Sequence, residues 1–433
     1  MIDIVAIIIP MIFFILIIIA TLFEKVDKTL VSITAGLLTV VFVILWYNFS
    51  FGDVLLKLVS GDDLGYLEIY LLIIGMNIIT NVLYDSGVFQ FVALKTVKIT
   101  KGNKILMLLI FGVVAVFISS FISNILTIFI LAPITILFTG VLKIDAEPYL
   151  ILEVIMVNVG GLITLISSNL NILVCSLFDI NFIEFFLYFA PLGLILIFVT
   201  ILLSFLILRK RLKTPEKKQV KYLQQFDDWS IVKDKKRFYR ASIMFIITMI
   251  FFILFSEYLG LISVLSGFLM IIFVVKDKKS GISNINMNTL IYFAGFFITL
   301  EGLKLSGVFE LLGSSLVYIL PEDPFLISII ILWLTGGISS MIVSIPIALA
   351  FSPIVENLVY ILGNAYTPIL VVALISGTNL GDNLFPVGNV AIKLDIIEQN
   401  GSQKIKMKNF FKLGFIVAII QLIITTFYLF LLI

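Results

Sequence analysis

The chain has 433 residues, 61% hydrophobic and only 13% charged, with a mean hydropathy of +1.21, a composition that excludes a water-soluble domain. One cysteine, Cys175, and no histidine exclude disulfide frameworks, thiol–histidine nucleophile pairs and histidine metal sites. The formal net charge of +2 carries no signature of nucleic acid as a partner; membrane lipid is the expected surrounding.

The first apolar runs, 4–23 and 31–49, are free of charge and long enough to cross about 30 Å of hydrocarbon. No basic residue precedes the first run and no small-residue cleavage site follows it, so it is expected to be a retained span. Further apolar segments run at about 66–84, 105–142, 148–178 and 182–208. A soluble stretch, 209–240, then carries twelve Lys or Arg against four acids, and basic loops stay on the cytoplasmic side. Segments at about 241–256, 259–275, 289–304, 325–362, 368–398 and 410–433 follow.

With 209–240 placed inside, Lys25, Lys28, Lys95, Lys98, Lys101, Lys104, Lys276, Lys278, Lys279, Lys404, Lys406 and Lys408 also fall inside. This count requires 105–142 and 325–362 each to enter and leave by one face. Both chain ends, Asp53, Asp62, Asp63 and the 321–324 turn then lie outside.

The pattern repeats. GMNIITNVLYDSGVF at 75–89 matches GFFITLEGLKLSGVF at 295–309, and FISSFISNILTIFILAP at 117–133 matches GISSMIVSIPIALAFSP at 337–353. Both pairs are offset by the same 220 positions, and NVGGLITLIS from Asn158 pairs with NLGDNLFPVG from Asn379 with one residue inserted. An odd number of crossings per half makes the halves run oppositely through the membrane. The expected fold is an all-α polytopic membrane protein with two inverted repeats, each of about five spans plus one re-entrant hairpin. The expected boundaries are 1–208, a cytoplasmic basic linker 209–240, and 241–433.

Within each half a serine-rich break interrupts an apolar stretch: Ser119, Ser120, Ser123 and Asn124, then Ser339, Ser340 and Ser344. Breaks at depth are tolerated only where protein or water covers the backbone. Asn124 and Ser344 are expected to cap the second hairpin helices, whose N-termini at mid-membrane can hold an anion. Asn158, Gly160 and Gly161, and Asn379, Gly381 and Asp382, interrupt the next span of each half. Thr164, Ser167, Ser168, Asn169 and Asn171 follow the first, and Asn383, Pro386, Gly388 and Asn389 the second. Unwound carbonyls with Asn, Ser and Thr oxygens suit Na⁺.

Three acids lie in apolar stretches: Glu153, Glu301 and Asp382. Asp382 is the sharpest candidate, to share Na⁺ or carry a proton, with Glu153 as a second proton-coupling candidate. Glu301 is expected to pair with Lys304 near the outer surface, and Glu356 to be a similar surface group. The segment 88–100 reads as an amphipathic helix along the cytoplasmic surface, with a counterpart at 308–320.

These motifs resemble the ion transporter superfamily, in particular the permease group that includes arsenite efflux pumps and D-type sodium-proton antiporters. The resemblance spans nearly the whole chain. It rests on 75–89 followed by a lysine-bearing helix, the hairpin ending at Pro133, Glu153 before the Asn158 motif, and Gly377-Thr-Asn-Leu-Gly381 with Pro386-Val-Gly388. Ser123-Asn124, with Thr127 nearby, resembles the Ser-Asn-Thr tip of the related sodium-dicarboxylate symporters. The resemblance implies scaffold and transport domains moving by an elevator-like shift, in a homodimer. Where antiporters and arsenite pumps carry Asp-Asn at both tips, this chain has Ser123-Asn124 and Val343-Ser344. Ser167-Ser168-Asn169-Leu170-Asn171 stands where Gly-Asp-Pro-Pro-Asn is usual.

The expected activity is secondary active transport of a small inorganic or carboxylate anion across the cytoplasmic membrane, with Na⁺ or H⁺ as coupling ion and no other cofactor. The substrate residues are Ser123, Asn124, Thr127, Asn171, Ser344 and Asn389. The cation residues are Asn158, Gly160, Gly161, Thr164, Asn379, Gly381, Asp382 and Asn383. Neutral tips favour an anion, because a carboxylate tip would repel it. The alternatives are sodium-proton exchange or arsenite-type efflux through Asp382, and an ion channel. An enzyme is not expected, since no nucleophile–base pair or aspartate cluster is present.

Overall fold

A computed structural model describes residues 4–22, 26–50, 52, 65–225, 227–256, 258–276, 278, 287–308, 323–341, 343–401 and 404–432. Among these, all regular structure is helical, because in lipid a span must satisfy its own backbone hydrogen bonds. The first half comprises α1 (Ile4–Leu22), α2 (Lys28–Tyr47), α3 (Gly65–Asp85), α4 (Val88–Ile99), α5 (Lys104–Ser119), α6 (Asn124–Leu142), α7 (Glu147–Gly160), α8 (Asn169–Leu177) and α9 (Phe182–Leu208). A short helix, α10 (Lys217–Gln224), lies in the linker. The second half comprises α11 (Lys235–Leu254), α12 (Leu259–Val274), α13 (Met287–Leu305), α14 (Pro324–Ser339), α15 (Ser344–Leu362), α16 (Thr367–Gly381), α17 (Asn389–Gly401) and α18 (Met407–Phe430). Seven of these helices are long and apolar enough to cross a membrane, and polar caps such as Asp27, Asn181 and Asp234 set the starts of three of them.

Packing is reciprocal between the halves. Helix α2 lies on α13 and α3 lies on α12. A Cβ at Gly75 would run into the backbone of Ser263, and one at Gly295, its partner at the 220 offset, into the backbone of Ser32. The same serines tie each contact: Ser263 Oγ donates to the Leu71 carbonyl at 3.1 Å and Ser32 Oγ to the Tyr292 carbonyl at 2.7 Å. Small residues let these backbones touch where no hydrophobic force separates helix from lipid. A second group repeats the device. Gly160 of α7 abuts the Val116 carbonyl of α5, where a Cβ would sit at 2.7 Å, and Gly381 of α16 abuts the Gly336 carbonyl of α14.

Both interrupted stretches are helical hairpins: α5 and α6 are separated by 120–123, and α14 ends at Ser339 with α15 starting at Ser344. The open end of the first lies on the linker face. A Cβ at Gly102 would meet Val220 and Pro215, and Asp145, just past α6, pairs with Arg211 at 2.7 Å. The open end of the second lies on the opposite face, where Phe325 packs against Phe430, Tyr428 donates to the Tyr188 carbonyl at 2.8 Å and Glu356 pairs with Lys304 at 3.2 Å.

The basic segments share one face. Arg237 reaches Asp85 at 3.5 Å, Lys276 pairs with Asp234 at 2.9 Å, and Glu147 holds Arg211 at 2.5 Å together with the Lys406 N–H at 2.9 Å. Helix α4 forms as expected and packs Phe91 against Trp229 and Phe238 of the linker region. Its expected counterpart at 308–320 lies outside the described residues except for Val308, as do Lys25, Asp53, Asp62, Asp63 and Lys279. Helix α11 begins at Lys235, inside the stretch read as linker, because the helix continues through its basic first turn before entering the apolar run.

Candidate functional site

The first hairpin turn and the first broken helix meet in a line of asparagines that reaches the second half, and the second hairpin turn meets the second broken helix in a cluster beside it. Helix α7 runs unbroken through Asn158 to Gly160 and α16 through Asn379 to Gly381, so the interruption starts at Gly161 and Asp382, later than the motifs imply. The carbonyls of Gly160 and Gly381 are taken by the amides of Ile163 at 3.0 Å and Leu384 at 2.9 Å. These two glycines admit a neighbouring helix, and each carbonyl already accepts one N–H.

The capping expectation is also corrected. Ser123 is the N-cap of α6, its Oγ accepting from Leu126 N at 3.4 Å, and Val343 is the N-cap position of α15. Asn124 and Ser344 are the first helical residues, one position later, and their side chains are free to point across the site.

Asn124 Nδ2 donates to Asn158 Oδ1 at 3.0 Å, while Asn124 Oδ1 accepts from Ser119 at 2.7 Å. Asn158 Nδ2 donates to Asn383 Oδ1 at 2.7 Å, and Asn383 in turn reaches Gln421 at 3.4 Å. This line joins the first hairpin to the second half. On the other side, Ser344 Oγ donates to the Asp382 carboxylate at 3.0 and 3.1 Å, and Asn389 Nδ2 donates to Asp382 Oδ2 at 2.8 Å and to Ser344 Oγ. Asn379 Nδ2 faces Asn171 Oδ1 at 3.5 Å.

One point in this network is ringed by oxygen. A Cβ on Gly161 would lie 3.2 Å from the Asn158 carbonyl oxygen and 3.3 Å from each of Asn124 Oδ1 and Asn379 Oδ1. The amides after Asn158 bond instead to the Val157, Val159 and Gly160 carbonyls, which leaves the Asn158 carbonyl without an N–H donor among the described residues. Neutral oxygens converging on one space at the end of a broken helix form a hard-cation donor set. The wall behind this space is fixed: Asn171 donates to the Gly161 carbonyl at 2.7 Å, Ser167 to the same oxygen at 2.8 Å, and Thr164 to the Ser120 carbonyl. Thr127 donates to the Ser123 carbonyl at 3.0 Å, so its hydroxyl proton is engaged within the tip.

Glu153 stands apart. It is fully buried between α6 and α7, where Thr135 donates to it at 2.5 Å, and no bond links it to the asparagines. Glu301 pairs with Lys304 at 3.7 Å as expected, and it also accepts from the Tyr66 hydroxyl at 2.5 Å. With Glu68, Asp179 and Glu356, these groups line a cavity of about 570 Å³ between α3 and α8 that opens on the face away from the linker.

Sequence reading missed Lys393. It is 1% exposed, and its ammonium donates to Asn158 Oδ1 at 2.5 Å, at the junction of the two halves. Its one local sign is that Lys393 lies four residues after Asn389, on the same helix face.

A helical, multi-span chain with two hairpins closing on a buried polar centre belongs to the class of membrane transporters, not enzymes. The family described as citrate transporter (CitMHS) matches residues 14–377, and the chain belongs to that family. It is 28% identical to a 46 kDa membrane protein of Mycobacterium leprae, over 94% of both chains. It is 25% identical to an uncharacterized transporter of Mycobacterium tuberculosis, again over 94% of both. The human P protein is 24% identical over 82% of this chain and 52% of its own length. Among solved structures, Neisseria gonorrhoeae MtrF, described with a class of antimetabolite efflux pumps, shares the fold with a TM-score of 0.60 at 11% identity, covering 90% of this chain and 83% of that one.

Proposed function

We propose that this chain is a secondary transporter of a small carboxylate anion, coupled to Na⁺ entering the oxygen-ringed space beside Gly161. That space carries the reading: its donors are neutral oxygens from Asn124, Asn158 and Asn379, drawn from both halves, so cation occupancy would tie the first hairpin to the second half. The family description supports citrate as the first anion to try. The anion docks at the N-terminus of α6, at Ser123 and Asn124, where unpaired amides and the helix dipole face it. At the second tip the corresponding place is taken by the chain's own Asp382 carboxylate on Ser344.

Two inverted halves supply alternating access, a reading supported by the reciprocal contacts at Gly75 and Gly295 and by hairpins opening to opposite faces. With the basic linker on the cytoplasmic side, the acid-lined cavity is an outer vestibule of the cell membrane, between the α3 scaffold and the moving α8. A homodimer completes the arrangement.

A second reading, proton-coupled exchange or efflux, is favoured by the burial of Asp382. Thermal unfolding of the purified chain with citrate, smaller dicarboxylates and oxyanions, each with Na⁺ or choline, tests the proposal. Stabilisation requiring anion and Na⁺ together is expected. Stabilisation by Na⁺ alone, with no anion effect and loss of proton coupling in D382N, would establish the second reading instead.

A further inference from the structure

We infer that Lys393 is a tethered cation: its ammonium, held on Asn158 of the first motif, supplies the positive charge that the buried Asp382 of the second motif requires, so the carrier couples to one soluble cation rather than two. The inference rests on the sodium-coupled reading above and deepens it. Its basis is an asymmetry between positions that correspond in the two halves. In the first motif, Asn158-Val-Gly-Gly161, the last residue has no side chain and leaves a space ringed by neutral oxygens. In the second, Asn379-Leu-Gly-Asp382, a carboxylate occupies that place and is bonded by Ser344 and Asn389. The first motif contributes no charged side chain of its own. The second carries a built-in negative charge, buried at 4% exposure, that requires a positive partner.

Lys393 is placed to be that partner. It follows Asn389 by one helical turn, so both side chains project from one face of α17. Its ammonium sits on Asn158 Oδ1 at 2.5 Å, and Asn158 Nδ2 bonds Asn383, the neighbour of Asp382. Asn389, one turn before Lys393 on the same helix, donates to the Asp382 carboxylate at 2.8 Å, which brings the two charges to the same polar centre. No carboxylate among the described residues lies within 4.0 Å of the ammonium, so the two charges balance across the polar centre and not as a contact pair. The balanced pair has no net charge, and the unit containing it can cross the membrane with the Asp382 charge already compensated. Anchoring the substrate anion is a poorer role for Lys393, because it is enclosed on all sides and its acceptor is a residue of the chain.

The test is a Na⁺ titration of thermal stability for the full purified chain, with choline holding ionic strength constant. Wild type is expected to respond as a single site, with a Hill coefficient of about 1. K393M leaves Asp382 without its partner; its stability in choline is expected to fall, Na⁺ to restore it, and the Hill coefficient to rise towards about 2. In D382N/K393M neither charge remains, and the extra Na⁺ response is expected to vanish.

A wild-type coefficient near 2, or a K393M deficit that Na⁺ does not relieve while D382N/K393M stays folded, overturns the inference. So does loss of the citrate response in K393M with an unchanged Na⁺ response, which assigns Lys393 to the anion. If wild type ignores Na⁺ and K393M acquires a response to it, the sodium-coupled reading fails and the role of Lys393 stands.

Discussion

Replacing Asn158 by Ala removes the hub of the polar centre. Three hydrogen bonds go with it: from Lys393 at 2.5 Å, from Asn124 at 3.0 Å and to Asn383 at 2.7 Å. A neutral bond of this kind contributes about 0.6–1 kcal/mol, and one to a charged group about 1.5–3 kcal/mol. Two neutral bonds and one charged bond give an expected loss of about 3–5 kcal/mol. Most of it comes from leaving a buried ammonium without an acceptor. N158D is the informative partner, since a carboxylate accepts from Lys393 as a charged group and still accepts from Asn124, while it loses the donation to Asn383 and faces that amide oxygen as a second acceptor until the amide turns over. It should therefore lie closer to wild type than N158A does. Unfolding free energies from SDS titration in mixed micelles measure both. N158A within about 1 kcal/mol of wild type, or N158D less stable than N158A, would refute the network as the joint between the halves.

Other predictions concern packing and the linker face. G75A and G295A each force a methyl group into fixed backbone and are expected to lose about 1–3 kcal/mol by similar amounts, whereas G337A, with open space around its Cβ, should be neutral or stabilising by about 0.5–1 kcal/mol. The same SDS titration separates them, and unequal losses at Gly75 and Gly295 would argue against equivalent roles. R211A leaves Glu147 buried with only the Lys406 amide and Asn409 as partners, and is expected to lose about 2 kcal/mol. Proteolysis of the 209–234 stretch in that variant should quicken, because the clasp that holds it against α7 is gone.

The hairpins were legible because serine-rich breaks at one fixed spacing have no reason to recur in apolar sequence unless the backbone turns there. Ser344, Asp382 and Asn389, picked separately, come into direct contact, and so do Asn124 and Asn158. The roles of Gly160 and Gly381 were not legible. A glycine that frees a carbonyl and one that admits a neighbouring helix look alike in sequence, and only the approach of Val116 and Gly336 decides between them. The cap residues shifted by one position for a related reason, since Ser123 and Asn124 are both good N-caps and the turn geometry selects the first. Lys393 was overlooked because a lone lysine between Ile392 and Leu394, with Asp395 following, reads as the solvated end of a span. Its burial follows from α17 lying against α6, a long-range contact that no local pattern encodes.

Uptake of radiolabelled citrate into proteoliposomes, with an inward Na⁺ gradient imposed or collapsed by ionophore, tests the coupling most directly. Accumulation above the external concentration under the gradient, abolished when the gradient is collapsed and in N124A, is the predicted outcome. Equal uptake with and without the gradient, levelling at the external concentration, would make the protein an uncoupled pathway and contradict the account.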